Sequence, residues 1–416
     1  MRFSRKGAFS MLEALQRKNK PIIYLMLSKN NFLMNKIYLF TAAFAVMASL
    51  SGCSDTELAS IDTAQEKTPI GFHTVGSQMG SRATSINSTN LTDYSFNVYA
   101  FKNDNGTDGE RFMGNDNETL TGGVKISYNG TKWDYANVMY WPTGSLNFYA
   151  VSPVPKSDSD PIFYSWQISQ TTKKINYMSH DEYGEGPHPY TDVMYAIATD
   201  IRKADNGGTV QLQFKHITSQ VVFMAKKKLP DMVVEIKSIK LHNFETSGFF
   251  IIPTNRTDLR PQQSDWTPQN LINTKGFSVI NIGKDDPKIT VSTEATDISK
   301  NKPMFLIPQK LNAWNPLHDI TTANTNKESY LSIKCKIKLN GSYIIGSDAA
   351  DDDDAYGTLF VPFEANWAPG MRYVYTLVFG GGYDENGKPI LQPINFDASV
   401  EEWPTDETSD KSDKNL

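Results

Sequence analysis

Cysteine is almost absent: the chain has two, Cys53 and Cys335, in 416 residues. Two thiols cannot build a disulfide framework, so stability must come from an apolar core. Histidine is also sparse. The six are scattered, and the closest pair, His180 and His188, lacks the spacing of metal ligands. A surplus of one charge is missing as well. Net charge is only −5, which offers no footprint for nucleic acid. Gly380-Gly381-Gly382 is followed by neither a helix nor a Lys-Ser/Thr pair, so it is not a phosphate cradle. Asp348 and Asp351 to Asp354 lack the alternation and glycine of a calcium loop and read as a solvated turn. No nucleophile elbow appears. These absences predict a protein without catalytic activity, cofactor or metal.

Beyond residue 69 no long amphipathic helix pattern appears. What is present is aromatic and β-prone: 12% Phe, Tyr and Trp, and 39% hydrophobic residues overall. Short alternating runs recur between Gly, Asn, Asp and Pro. Tyr94, Phe96, Val98 and Ala100 alternate with Ser95, Asn97 and Tyr99. Val124–Tyr128 meets Asn129-Gly130, a type I′ hairpin signal, and continues to Trp133 and Tyr135. In Leu331–Leu339, Ile333, Cys335, Ile337 and Leu339 share one parity, so Cys335 reads as a small buried hydrophobe on a strand.

The first part of the chain reads as address and processing. Lys36 precedes an apolar run, Ile37 to Leu50, with the length and flanks of a secretory signal. It ends in Leu50-Ser51-Gly52-Cys53, which resembles the lipobox of bacterial lipoproteins and makes Cys53 the predicted lipidation site. Cys335 then has no partner, and no intrachain disulfide is expected. Residues 1–33 are basic and too long for an n-region, so Met34 is the expected start and 1–33 a non-native upstream extension. Residues 34–53 are the signal peptide and 54–68 a polar linker. Ser54-Asp55-Thr56-Glu57 reads equally as a surface-export signal or a plain tether.

The strand pattern predicts an all-β fold of two antiparallel β-sandwich domains, at 69–247 and 248–403, with a disordered tail at 404–416. Three strands close each half in similar order: Val210–Phe214, Gln220–Met224 and Val234–Leu241, then Leu359–Phe363, Tyr373–Phe379 and Ile394–Val400.

Several local sequences, taken in order, carry a resemblance. They are Tyr140-Trp141-Pro142, Asp192–Ala196, Leu212–His216, Ile236–Leu241, Phe305–Gln309, Trp367–Tyr375 and Val400–Trp403. With the lipobox, they resemble the fimbrillin family of Bacteroidota, the Mfa-like and FimA-like type V pilin lipoproteins, over roughly residues 69 to 403. The resemblance implies transthyretin-like or Ig-like sandwiches and assembly with other fimbrillin subunits. It also implies export to the outer membrane through lipid on Cys53. A trypsin-like surface protease then cuts after an Arg that follows the first strand.

The residues suit that scheme. Pro69–Val75 is a strand candidate whose removable part is marked by Ile70, Phe72 and Thr74. Gly76–Thr84 is rich in Gly and Ser and predicts a flexible, cleavable loop. Arg82 is the only Arg or Lys between Lys67 and Lys102, so a cut between Arg82 and Ala83 would be selective. An incoming strand could refill the groove left behind. The tail after Trp403 lacks apolar alternation. Either the strand around Ile394–Val400 rearranges to donate, or this subunit only accepts, as a tip or accessory component. The alternative function is a monomeric surface glycan-binding lipoprotein, with Trp133, Trp141 and Trp166 as a stacking platform. A lipid-anchored hydrolase is a third reading.

Overall fold

The computed structural model describes residues 67–75, 86–115, 122–155, 164–179, 192–269, 272, 275–283, 286–299, 303–349, 353–380, 382–383, 386, 389–391 and 395–402. Within these, strands dominate and the one α-helix is a single short stretch, Ile320–Asn326. None of the described helices is long and apolar enough to cross a membrane. The all-β sandwich architecture expected from the alternation is therefore what forms.

The first half is built on a central antiparallel sheet. Its order is Lys215–His216, Met194–Arg202, Ser145–Val154, Ser95–Asp104, Val124–Tyr128 and Trp133–Asp134, with Thr107–Met113 also pairing Ser95–Asp104. One face, bearing Phe96, Val98, Phe148 and Ala150, packs against a parallel pair made by Gly71–Val75 and Thr209–Gln213. The opposite face, bearing Tyr99, Phe101, Tyr149 and Val151, packs against a second sheet of Trp266–Pro268, Ser247–Ile251, Lys173–Met178 and Tyr164–Ile168. Layers on both faces explain why the expected alternation at Ser95–Ala100 is not one of burial. Asn97 and Tyr99 are as buried as Phe96 and Val98, because a central strand with two covered faces has no solvated parity.

The second half has one core between two sheets. Ser219–Lys227 runs parallel to Met371–Phe379, which pairs antiparallel with Asn395–Glu402. The facing sheet centres on Met232–His242, Tyr330–Leu339 and Gly357–Pro362. Tyr330–Leu339 buries every second residue over most of its length, as a strand with one solvated face should. All three of these packed layers lie within one compact unit, residues 65–416.

Sheet membership does not follow the divide expected at 247/248. Ser219–Lys227 and Met232–His242 pair with strands of the second half, whereas Ser247–Ile251 pairs with Lys173–Met178 of the first. The chain crosses over after His216, returns for Ser247–Ile251 and Trp266–Pro268, and crosses again. The Asn129-Gly130 hairpin also differs from its expected form. Tyr128 sits opposite Trp133, leaving a four-residue loop in which the Asn129 side chain accepts hydrogen bonds from the backbone N–H groups of Thr131 and Lys132. Asn129 thus closes the turn through its side chain rather than through left-handed backbone.

Cys335 is fully buried in the second core and is not disulfide-bonded. Burial pushes its thiol up from 9.0 to about 12. A raised value favours the protonated form in the fold. The associated stability is complete below the unfolded value of 9.0 and is lost as pH rises through about 12. Iodoacetamide is therefore expected to leave Cys335 unlabelled in the native protein at neutral pH and to label it after denaturation, read by peptide mass. Native labelling at the denatured rate would show that this core opens.

Candidate functional site: the opening strand and its groove

Gly71–Val75 follows Pro69 and carries Phe, Thr and Val, residues that suit a pleated surface. Among the described residues it pairs only with Thr209–Gln213, in parallel, with Phe72 opposite Val210 and Thr74 opposite Leu212. The remaining contacts come from just before the strand. Ile70 N donates to Met139 O at 2.9 Å, and Trp141 N donates to Thr68 O at 3.1 Å. The Tyr135 hydroxyl donates to Ile70 O at 2.9 Å and accepts from Met139 N at 3.1 Å. Burial raises the Tyr135 pKa and keeps this phenol a donor. Trp141 covers this same N-terminal end, its indole N–H donating to Gly208 O at 2.9 Å.

Two side chains seat the strand. Ile70 is 2% exposed and Phe72 6%; His73 is exposed and Thr74 half-buried. The Phe72 ring meets Phe96, Tyr135 and Phe148 edge-on, at centroid distances of 6.4, 5.7 and 6.1 Å. Burying such a ring contributes about 1.5–3 kcal/mol, with more from edge-to-face contacts. Gly71 lies against the partner strand so closely that an added Cβ would sit 3.2 Å from Thr209 Oγ1. The strand is therefore side-chain-rich in its grip and backbone-poor in its pairing.

The second half offers an internal comparison. Its own parallel strand, Ser219–Lys227, is flanked on its other edge by Thr296–Asp297 and Met304–Leu306, and its partner Met371–Phe379 by Asn395–Glu402. The first-half sheet has two strands only among the described residues. It is the thinner construction of the two.

Downstream, Ile86 is held firmly. Its backbone N–H donates to Asp192 Oδ2 at 2.7 Å, and Asp192 Oδ1 accepts from His216 Nδ1 at 2.7 Å. Both side chains are buried. The acceptor for His216 thus lies just ahead of the neighbouring strand Met194–Arg202.

Of the residues singled out in the sequence, Ile70 and Phe72 are buried together against the central sheet, and Thr74 follows on the same parity, half-buried. Cys53, Arg82 and Ala83 lie outside the described residues, as does the tail at 404–416. Trp141 was expected in a stacking platform rather than beside the opening strand, and Tyr135 and Asp192 were not foreseen as site residues. An Asp just ahead of an apolar strand was the signal for the last. The three tryptophans do not form a platform. Trp133 packs beneath the face that holds Phe72, Trp166 under the opposite face, and Trp141 against Phe148.

A family model described as fimbrillin-like matches residues 81–403. A fimbrial protein from Bacteroides vulgatus ATCC 8482 is similar in structure, with a TM-score of 0.52 at 15% identity, over 80% of this chain and 99% of that one. The tip fimbrial protein Mfa3 from Porphyromonas gingivalis, with C-terminal truncation, gives a TM-score of 0.33 at 10% identity, over 74% of this chain and 94% of that one. The first of these shows a shared fold. No curated protein matches the sequence.

Proposed function

We propose that this chain, which belongs to the fimbrillin-like family, is a fimbrial subunit or adhesin that joins its neighbours by giving up its opening strand. The observation that carries this reading is the asymmetry of Gly71–Val75: one pairing partner among the described residues, yet two deeply seated side chains at Ile70 and Phe72. Removing such a strand uncovers the edge of Thr209–Gln213 and a row of apolar pockets. A foreign strand can refill both, with backbone bonds for affinity and alternate side chains for register.

The processing steps belong to the same proposal. Cys53 carries lipid and holds the precursor at the outer membrane. A trypsin-like protease cuts between Arg82 and Ala83, and the lipidated segment departs with the strand. Two features support this. Arg82 has no rival basic residue between Lys67 and Lys102, and the family match begins at residue 81. The Asp192 contact at Ile86 would then keep the new N-terminus from unravelling into the body of the subunit. Its role is structural, without a catalytic centre. At the other end, Asn395–Glu402 occupies a sheet edge. It either leaves that edge to donate, or the subunit accepts only and sits at a tip or accessory position.

Limited trypsin treatment of the purified lipoprotein tests the scheme. Expected are an N-terminus at Ala83 by mass spectrometry and a shift from monomer to oligomer by light scattering. A protein cut at Ala83 that keeps residues 67–75 bound and remains monomeric would defeat it.

A further inference from the structure

We propose that Lys173 and Asp108 condense into an intramolecular isopeptide bond that staples two layers of the first half together. Asp108 lies on Thr107–Met113, which belongs to the central sheet, and Lys173 opens Lys173–Met178 of the covering sheet. Their side chains are in direct contact and only 6% and 8% exposed. The amine is enclosed by aromatic rings, 4.8 Å from the centroid of Tyr149 and 5.1 Å from that of Phe101. It also donates to Gln170 O at 2.7 Å, which fixes its position.

The carboxylate is equipped for attack. Asp108 Oδ2 faces Lys173, while Oδ1 accepts from Asn147 Nδ2 at 2.8 Å and from the Tyr149 hydroxyl at 3.1 Å. Burial and the neighbouring Asp108 charge raise the Tyr149 pKa, so the phenol holds its proton. A proton passes from Lys173 Nζ to Asp108 Oδ2 across their contact, and the amine lone pair so freed adds to Asp108 Cγ. The charge that develops on Oδ1 meets two donors already in place, the arrangement that stabilises a tetrahedral intermediate. The Cγ–Oδ2 bond then breaks, and Oδ2 leaves as water with two of the three ammonium protons. The third stays on the amide nitrogen. An ammonium and a carboxylate become one neutral amide and one water, with no other reactant.

The environment favours this outcome. Two buried charges carry a desolvation penalty that their attraction only partly offsets, and the amide removes both. Holding the groups in contact replaces an encounter in solution by an intramolecular step. The link would tie the hairpin Ser95–Met113 to the covering sheet, across the boundary between the two layers.

Peptide mapping of the full-length protein, denatured and digested, tests the bond. Expected is a branched peptide joining the Asp108 and Lys173 segments, lighter by one water than its two parts, with no cleavage at Lys173. Lys173→Arg should keep the ion pair and abolish the branch. Tyr149→Phe keeps the ring but removes one donor, and should slow bond formation by about a hundredfold. Two linear peptides from the mature wild-type protein, with normal cleavage after Lys173, would overturn the proposal.

Discussion

Phe72→Ala is expected to release the opening strand while leaving the rest of the molecule folded. The ring is seated among Phe96, Tyr135 and Phe148, and truncating a buried Phe costs about 3–5 kcal/mol. What then opposes release is the buried Ile70 and, among the described residues, one pairing partner and three flanking hydrogen bonds at Thr68 and Ile70. Against these stands the backbone entropy of a five-residue strand, about 1–2 kcal/mol per residue. The loss therefore falls on a local opening equilibrium rather than on global unfolding. A 3 kcal/mol shift is roughly a hundredfold in that equilibrium. Hydrogen exchange within Thr209–Gln213 should accelerate by about that factor, while Tyr330–Leu339 in the other core keeps its protection. Under the proposed scheme, trypsin-treated Phe72→Ala should also assemble faster than wild type. Unchanged exchange at Thr209–Gln213 would mean that the strand is held by something other than its aromatic anchor, and the plug account would lose its physical basis.

The parts of the fold legible in the sequence are those set by local pattern on a half-exposed surface. Tyr330–Leu339 shows this best, since its apolar parity maps directly onto the second core and places Cys335 inside it. Pattern failed where a strand is covered on both sides. Ser145–Val154 buries nearly every residue, and Asn97 sits inside beside Phe96 because the covering sheet lies over it. Turn chemistry was also ambiguous. Asn-Gly at 105–106 and at 340–341 adopts positive φ at both residues and closes two-residue hairpins, with Asp104 opposite Thr107 and Leu339 opposite Ser342. The same dipeptide at 129–130 makes a wider turn through the Asn129 side chain. The dipeptide specifies a reversal; the flanking strands decide its geometry.

The division into halves was the least legible feature, for a topological reason. Alternation shows that Met232–His242 is a strand, but its partners are Tyr330–Leu339 and Phe277–Asn281, far along the chain. Nothing local announces that Ser247–Ile251 returns to pair with Lys173–Met178. The candidate site divides similarly. Ile70, Phe72 and Thr74 could be picked out because a short alternating run precedes a Gly- and Ser-rich stretch. The groove that receives them could not, since Tyr135, Phe148 and Leu212 come from three separate segments brought together by the central sheet.

Asp192→Ala is expected to be among the most damaging single changes in the first half, and its effect should be centred on Ile86. The carboxylate accepts from Ile86 N with one oxygen and from His216 Nδ1 with the other, and no solvent reaches either side chain appreciably. Alanine removes the acceptor of two buried donors, each costing about 1–3 kcal/mol when left without one. Denaturant unfolding should register a loss of about 2–6 kcal/mol. Asp192→Asn keeps an oxygen to accept from Ile86 and should lose less. The distinguishing measurement is exchange at the Ile86 amide. It should become fast in Asp192→Ala and stay protected in Asp192→Asn. If Ile86 exchanges slowly in Asp192→Ala, the turn at Asn87–Asn90, where Leu91 N donates to Asn87 O at 2.8 Å, is what holds this segment. The matter bears on assembly because Ile86 lies three residues beyond Ala83, the proposed new terminus. A subunit that sheds its first strand has to keep its second from following, and a buried carboxylate gripping the backbone at that point does so without depending on any residue that leaves.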